Sequence, residues 1–104
     1  MNGEYAGDLH WLSVAEAAHA IAHKELSPVV LTQALLARID KLEPRLHAFI
    51  RIDGEAALAA ARAAEAEIVA GRSRGPLHGV PVGIKDIIDV AGLATTGHSK
   101  VLQD

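Results

Sequence analysis

The 104-residue sequence contains no cysteine, which excludes disulfides, thiolate metal sites and a cysteine nucleophile. It has one tyrosine, one tryptophan and one phenylalanine, so aromatic side chains contribute little to a core. Twenty alanines make up much of the 50% apolar content, and alanine buries little area per residue. The core expected from such a chain is thin, and the isolated chain is expected to be marginally stable, as a piece of a larger body would be. No run of one charge sign occurs, and the formal net charge is −3. Arg72 and Arg74 are the nearest approach to a basic cluster, too small for a nucleic-acid footprint. No apolar stretch reaches the ~18 residues that a membrane span requires, and the acidic opening MNGEYAGDLH is unlike a signal peptide. The expectation is a soluble, cytoplasmic protein.

Residues 1–10 read as a lead-in, after which helical spacing takes over. Ser13 and Glu16 have capping-box spacing, and Val14, Ala17, Ala18 and Ile21 form one apolar stripe behind them. Ser27-Pro28 predicts a second helix start, serine as N-cap and proline at the first helical position. Leu31, Leu35, Ile39 and Leu42 then recur at helical spacing, and Pro44 is expected to end the element. The two helices, within residues 13–42, are expected to form a hairpin in which each covers the other's stripe.

From Leu46 the apolar period changes to two: Leu46, Ala48, Ile50 and Ile52 alternate with His47, Phe49 and Arg51, which predicts a half-buried strand. Asp53 caps a third helix over about 55–70 with Leu58, Ala61, Ala64 and Ile68 on one face, and Gly71 stops it. Residues 71–79 form a loop, Val80 to Asp86 a second short strand, and Ile87 to Thr96 a further strand or hairpin arm. Alternating helices and strands give the class α/β, a helix hairpin followed by strand-helix-strand within one domain, residues 1–104. So few strands leave one sheet face bare, which points to a fragment.

Several residue groups carry potential chemistry. Glu16, His19 and His23 project from one side of the first helix at metal-ligand spacing, but that side faces water and nothing closes the site. Gly79, Gly83 and Lys85 depart from a phosphate loop, because the glycine spacing is short and Asp86 stands where a hydroxyl is required. Asp86 and Asp89 punctuate a strand end; His78 and His98 read as loop residues with no evident partner; the neighbours Ser99 and Lys100 do not point at each other. Lys85 differs in context. It follows Val80-Pro81-Val82-Gly83-Ile84 and precedes Ile87-Ile88, so it is either a strand-edge residue reaching solvent or a buried amine. A buried lysine gives up its proton readily and can act as a general base toward a serine hydroxyl.

Gly75-Pro76-Leu77-His78-Gly79-Val80-Pro81, followed by Gly83-Ile84-Lys85-Asp86, resembles the lysine-bearing segment of the amidase signature family. Val90-Ala91-Gly92, Thr95-Thr96-Gly97 and Ser99 continue the likeness, which extends over about residues 10–100. The resemblance implies the N-terminal part of a mixed-sheet fold and an amide hydrolase working through a Ser–cis-Ser–Lys triad. Lys85 matches the triad lysine. No position here matches the bridging or nucleophilic serine, so the 104 residues are expected to be inactive by themselves.

The partners implied are a small-molecule amide substrate and the remainder of the amidase domain, with a homo-oligomer left open. No cofactor, metal, nucleic acid or membrane is expected. Two alternatives stand beside this reading. One is the amidase subunit of a tRNA-dependent glutamine amidotransferase, in which ammonia from glutamine passes to a partner subunit. The other is a non-catalytic helical interaction module, which would fold cooperatively as an isolated chain.

Overall fold

The computed structural model describes residues 8–84 of the chain. A 3-10 turn, Leu9–Trp11, leads into α1 (Val14–Ala22), α2 (Pro28–Leu46) and α3 (Gly54–Val69). Among the described residues there is no strand, so the α/β expectation is overturned and the observed architecture is helical.

Each helix starts where its polar cap predicts. At α1 the Ser13 hydroxyl accepts from the Glu16 N–H at 3.0 Å while the Glu16 carboxylate accepts from the Ser13 N–H at 2.9 Å, a complete capping box. At α2 the Ser27 hydroxyl accepts from the N–H groups of Val29 and Val30, and Pro28 occupies the first turn, where no intrahelical N–H is needed. At α3 the Asp53 carboxylate accepts from the Ala56 N–H at 3.1 Å.

The ends depend on more than local chemistry. α2 continues past Pro44 to Leu46 and closes at His47 in the left-handed conformation, φ 49°. A proline this near the end forfeits one hydrogen bond in a turn that has few left to lose, so it does not end the element where expected. α1 closes at Lys24, φ 61°, with the Lys24 and Glu25 N–H groups donating back to the carbonyls of Ile21 and Ala20.

The predicted strand over Leu46–Asp53 is not formed: Leu46 completes α2 and residues 47–53 are irregular. A strand requires a neighbour to satisfy its N–H and C=O ladder, and the second predicted strand is likewise irregular over Val80–Ile84. The Phe49 N–H donates instead to the Glu43 carboxylate at 2.9 Å. Phe49, Ile50 and Ile52 are all exposed, so the period-two pattern separates no buried face from a solvated one.

The core gathers Ala17, Ala20 and Ile21 of α1, Leu26 of the connection, Leu31 of α2 and Ile68 of α3, with Leu9, Leu12, Leu35 and Val80 at its margin. Ala20 enters this core, whereas Val14 of the expected stripe is exposed. α2 packs along α3 and against the N-terminal 3-10 turn, and its Leu31 shares the core with Ala17, Ala20 and Ile21 of α1. The α3 stripe matches its expectation, with Ala61, Ala64 and Ile68 buried and Leu58 half-buried.

Candidate active site

Lys85 lies outside the described residues, as do Asp86, Asp89, Thr95, Thr96, His98, Ser99 and Lys100 and the strand expected over Ile87–Thr96. The backbone that leads into Lys85 is described to Ile84, and its path is set from α3 onward.

α3 ends with Gly71 at φ 80°; the Gly71 N–H donates to the Ile68 carbonyl at 3.0 Å and the Arg72 N–H to the Glu67 carbonyl at 2.8 Å. This paired closure turns the chain back along the helix. Arg74 then reaches across it: its Nε donates to Glu67 Oε2 at 2.7 Å. The backbone N–H of Arg74 donates to His78 Nδ1 at 3.0 Å, and the His78 N–H donates to the Gly75 carbonyl at 3.2 Å. His78, read from sequence as a loop residue without a partner, thus has one. Nothing in the local spacing identifies Arg74 as that partner, because the contact is to its backbone.

Gly79 follows at φ 90°, set into the junction of the three helices. A Cβ placed there would meet Ile21 Cγ2 and Pro28 Cβ at 3.2 Å and Ile68 Cδ1 at 3.4 Å. This glycine faces packed side chains. The Val80 N–H donates to the Leu77 carbonyl at 3.0 Å, and Val80 packs on the core margin. Val80 and Pro81 also close one side of an apolar cavity of about 110 Å³, lined further by Leu9, Leu12, Ala17, Leu31 and Leu35. Beyond Pro81 the chain leaves the helical body, and Val82 and Ile84 are exposed.

The other candidate cluster, on α1, is accounted for by the helix itself. The Glu16 carboxylate is engaged by the Ser13 N–H, which together with the Ser13 hydroxyl holds it below the usual carboxylate range. His19 and His23 stack with ring centroids 4.0 Å apart, and His23 Nδ1 lies 2.8 Å from the His19 carbonyl. Among the described residues no group of three or more histidines and carboxylates is placed to hold a metal ion. No helix among them is long and apolar enough to cross a membrane.

Comparison with known proteins places this arrangement in context. Residues 30–104 match the model of the Amidase family. Over 95 residues the chain is 48% identical to the A subunit of the glutamyl-tRNA(Gln) amidotransferase of Chloroflexus aggregans, covering 91% of this chain and 20% of that protein. Its counterpart in Salinispora arenicola is 47% identical over 91% of this chain and 19% of its own length. Among solved structures, the native peptide amidase of Stenotrophomonas maltophilia superimposes with a TM-score of 0.80 at 41% identity, covering 89% of this chain and 20% of that one. The chain spans about a fifth of the length of the relatives it matches. The lysine-bearing segment and the helical body that carries it therefore have one explanation: the chain belongs to the amidase signature family.

Proposed function

We propose that this chain is the N-terminal portion of an enzyme that cleaves a carboxylic amide C–N bond through a Ser–cis-Ser–Lys triad, with Lys85 as general base. The observation that carries the reading is the run Gly79-Val80-Pro81-Val82-Gly83-Ile84-Lys85, which lies inside the family match and leaves a helical body anchored at Gly79. The neutral Lys85 amine takes a proton through the bridging serine, and the nucleophilic serine attacks the amide carbonyl. Backbone N–H groups hold the resulting oxyanion until the C–N bond breaks. The amine departs with a proton returned through the same relay, and water then hydrolyses the acyl-enzyme. Both serines belong to the remainder of the amidase domain, so residues 1–104 supply the base alone.

The test uses the full-length product of the gene and a panel of small linear amides. Lys85→Ala is expected to lower kcat by about 10²- to 10⁴-fold, the usual contribution of a general base, with an unchanged circular-dichroism spectrum. Near-normal turnover in that variant overturns the reading.

A second reading is favoured by the 47–48% identity to the A subunits of glutamyl-tRNA(Gln) amidotransferases. Under it the amide is that of glutamine, and the ammonia released passes to a partner subunit. Glutaminase activity that rises on adding partner subunits and tRNA supports this reading. Hydrolysis of linear amides by the unaccompanied protein supports a free-standing amidase.

A further inference from the structure

α1 carries two histidines that the proposed chemistry does not use. His19 and His23, four residues apart, are both exposed. Their spacing makes them neighbours on the helix surface, and the fold goes further: the rings stack with centroids 4.0 Å apart and planes inclined by 22°. A metal ion bonded to two imidazoles at about 2.0–2.1 Å each holds the donor nitrogens at most about 4.2 Å apart. The two rings already lie at that separation. His23 Nδ1 is 2.8 Å from the His19 carbonyl. A carbonyl oxygen only accepts, so Nδ1 carries the proton and the lone pair of the neutral ring is on Nε2. An Nδ1–H bond to a backbone carbonyl is the contact that orients a metal-binding imidazole and strengthens it as a donor.

We propose that His19 and His23 form a two-ligand chelate on the surface of α1 for a late first-row divalent metal ion, Cu²⁺ most tightly. Two histidines four residues apart on one helix face bind such an ion through both rings, and Cu²⁺ heads the affinity order for nitrogen donors. Glu16 and Glu25 line an open concavity of about 340 Å³ beside His19, which gives water room in the remaining coordination positions. Residues 16–25 hold these two carboxylates and one ammonium, Lys24, so a cation is favoured there on balance. The Glu16 carboxylate is engaged by the Ser13 N–H, and among the described residues no third histidine or carboxylate completes a closed site. The chelate is therefore open, unlike the four-ligand set of a structural zinc site. It stands apart from the amide-hydrolysis reading and does not depend on it.

The experiment uses the full-length protein and CuCl₂ alone, followed by isothermal titration calorimetry and electron paramagnetic resonance. Comparison with variants isolates the copper equivalent that belongs to α1. His19→Gln and His23→Gln are each expected to weaken that equivalent by at least about 10-fold, because the second imidazole binds intramolecularly. In the double variant the loss is expected to be smaller than the two single losses combined. The resonance signal lost in either variant is expected to show coupling to two imidazole nitrogens. Losses that simply add, or a lost signal coupled to one nitrogen, mean two separate adventitious ligands and overturn the chelate. Copper binding unchanged in either variant also overturns it, including the case in which the rest of the protein covers this face.

Discussion

Gly79 faces Ile21 so closely that a methyl group on its Cα would lie 3.2 Å from Ile21 Cγ2, at a backbone φ of 90° that a side chain rarely adopts. Two costs therefore coincide at Gly79, and Gly71 separates them, since it has φ 80° with nothing within 4 Å of the same added atom. Gly71→Ala is expected to cost about 1 kcal/mol from backbone strain alone. Gly79→Ala is expected to cost about 2–3 kcal/mol, because Ile21, Pro28 and Ile68 must also give way. Urea unfolding of the two variants under one condition checks the difference. Equal midpoints would show that the junction of the helices yields without cost.

Lys24 offers the reverse case. It closes α1 in the left-handed region at φ 61°, a conformation that glycine adopts freely. Lys24→Gly is expected to raise stability by about 0.5–1 kcal/mol, read as a higher denaturation midpoint with an unchanged urea slope. A lower midpoint would mean that the lysine side chain makes a contact worth more than the strain.

Leu26 is fully buried between the ends of α1 and α2, where Ile21 and Pro28 are also fully buried. A core otherwise rich in alanine has few large side chains to collapse into a void. Leu26→Ala is therefore expected to cost about 3–5 kcal/mol, toward the upper part of the usual range for such truncations. Thermal unfolding measures it, and a loss below about 1 kcal/mol would contradict the burial.

Two helix caps carry charge that acid removes. Bonding to the Ser13 N–H, then to its hydroxyl, lowers the Glu16 pKa; the Ala56 N–H, then Arg51, lowers that of Asp53. A carboxylate depressed in the folded state contributes stability above its unfolded pKa, and that contribution is lost as pH falls through the folded value. The window therefore lies below about pH 4. The double variant Glu16→Gln, Asp53→Asn is expected to show a shallower fall in denaturation midpoint from pH 5 to pH 2.5 than the wild type. Parallel falls would show that neither cap titrates with folding. The Arg51–Asp53 ion pair, at 3.3 Å and exposed, should add little to this.

What the sequence by itself determined is local. A serine or aspartate oxygen reaches an N–H group two or three residues ahead, so the starts of all three helices at Ser13, Ser27 and Asp53 are legible from spacing. The same holds for the Gly71 stop, whose two hydrogen bonds close within α3's last turn. The lysine-bearing run could also be recognised from sequence, because its glycines, prolines and apolar residues occur in one contiguous order.

What only the tertiary structure decided depends on partners distant in sequence. The alternation from Leu46 to Ile52 satisfies the spacing of a strand, but among the described residues no neighbour completes its ladder, and Phe49 turns to Glu43 instead. Apolar stripes on α1 and α2 do not say which helix covers which, and α2 lies along α3. His78 has a partner only because the loop folds Arg74 back toward it, and Gly79 has to be glycine because three helices meet at its Cα. Caps are decided by the few bonds between neighbouring residues, whereas packing is decided by which surfaces exclude water together, and spacing along one chain does not encode that choice.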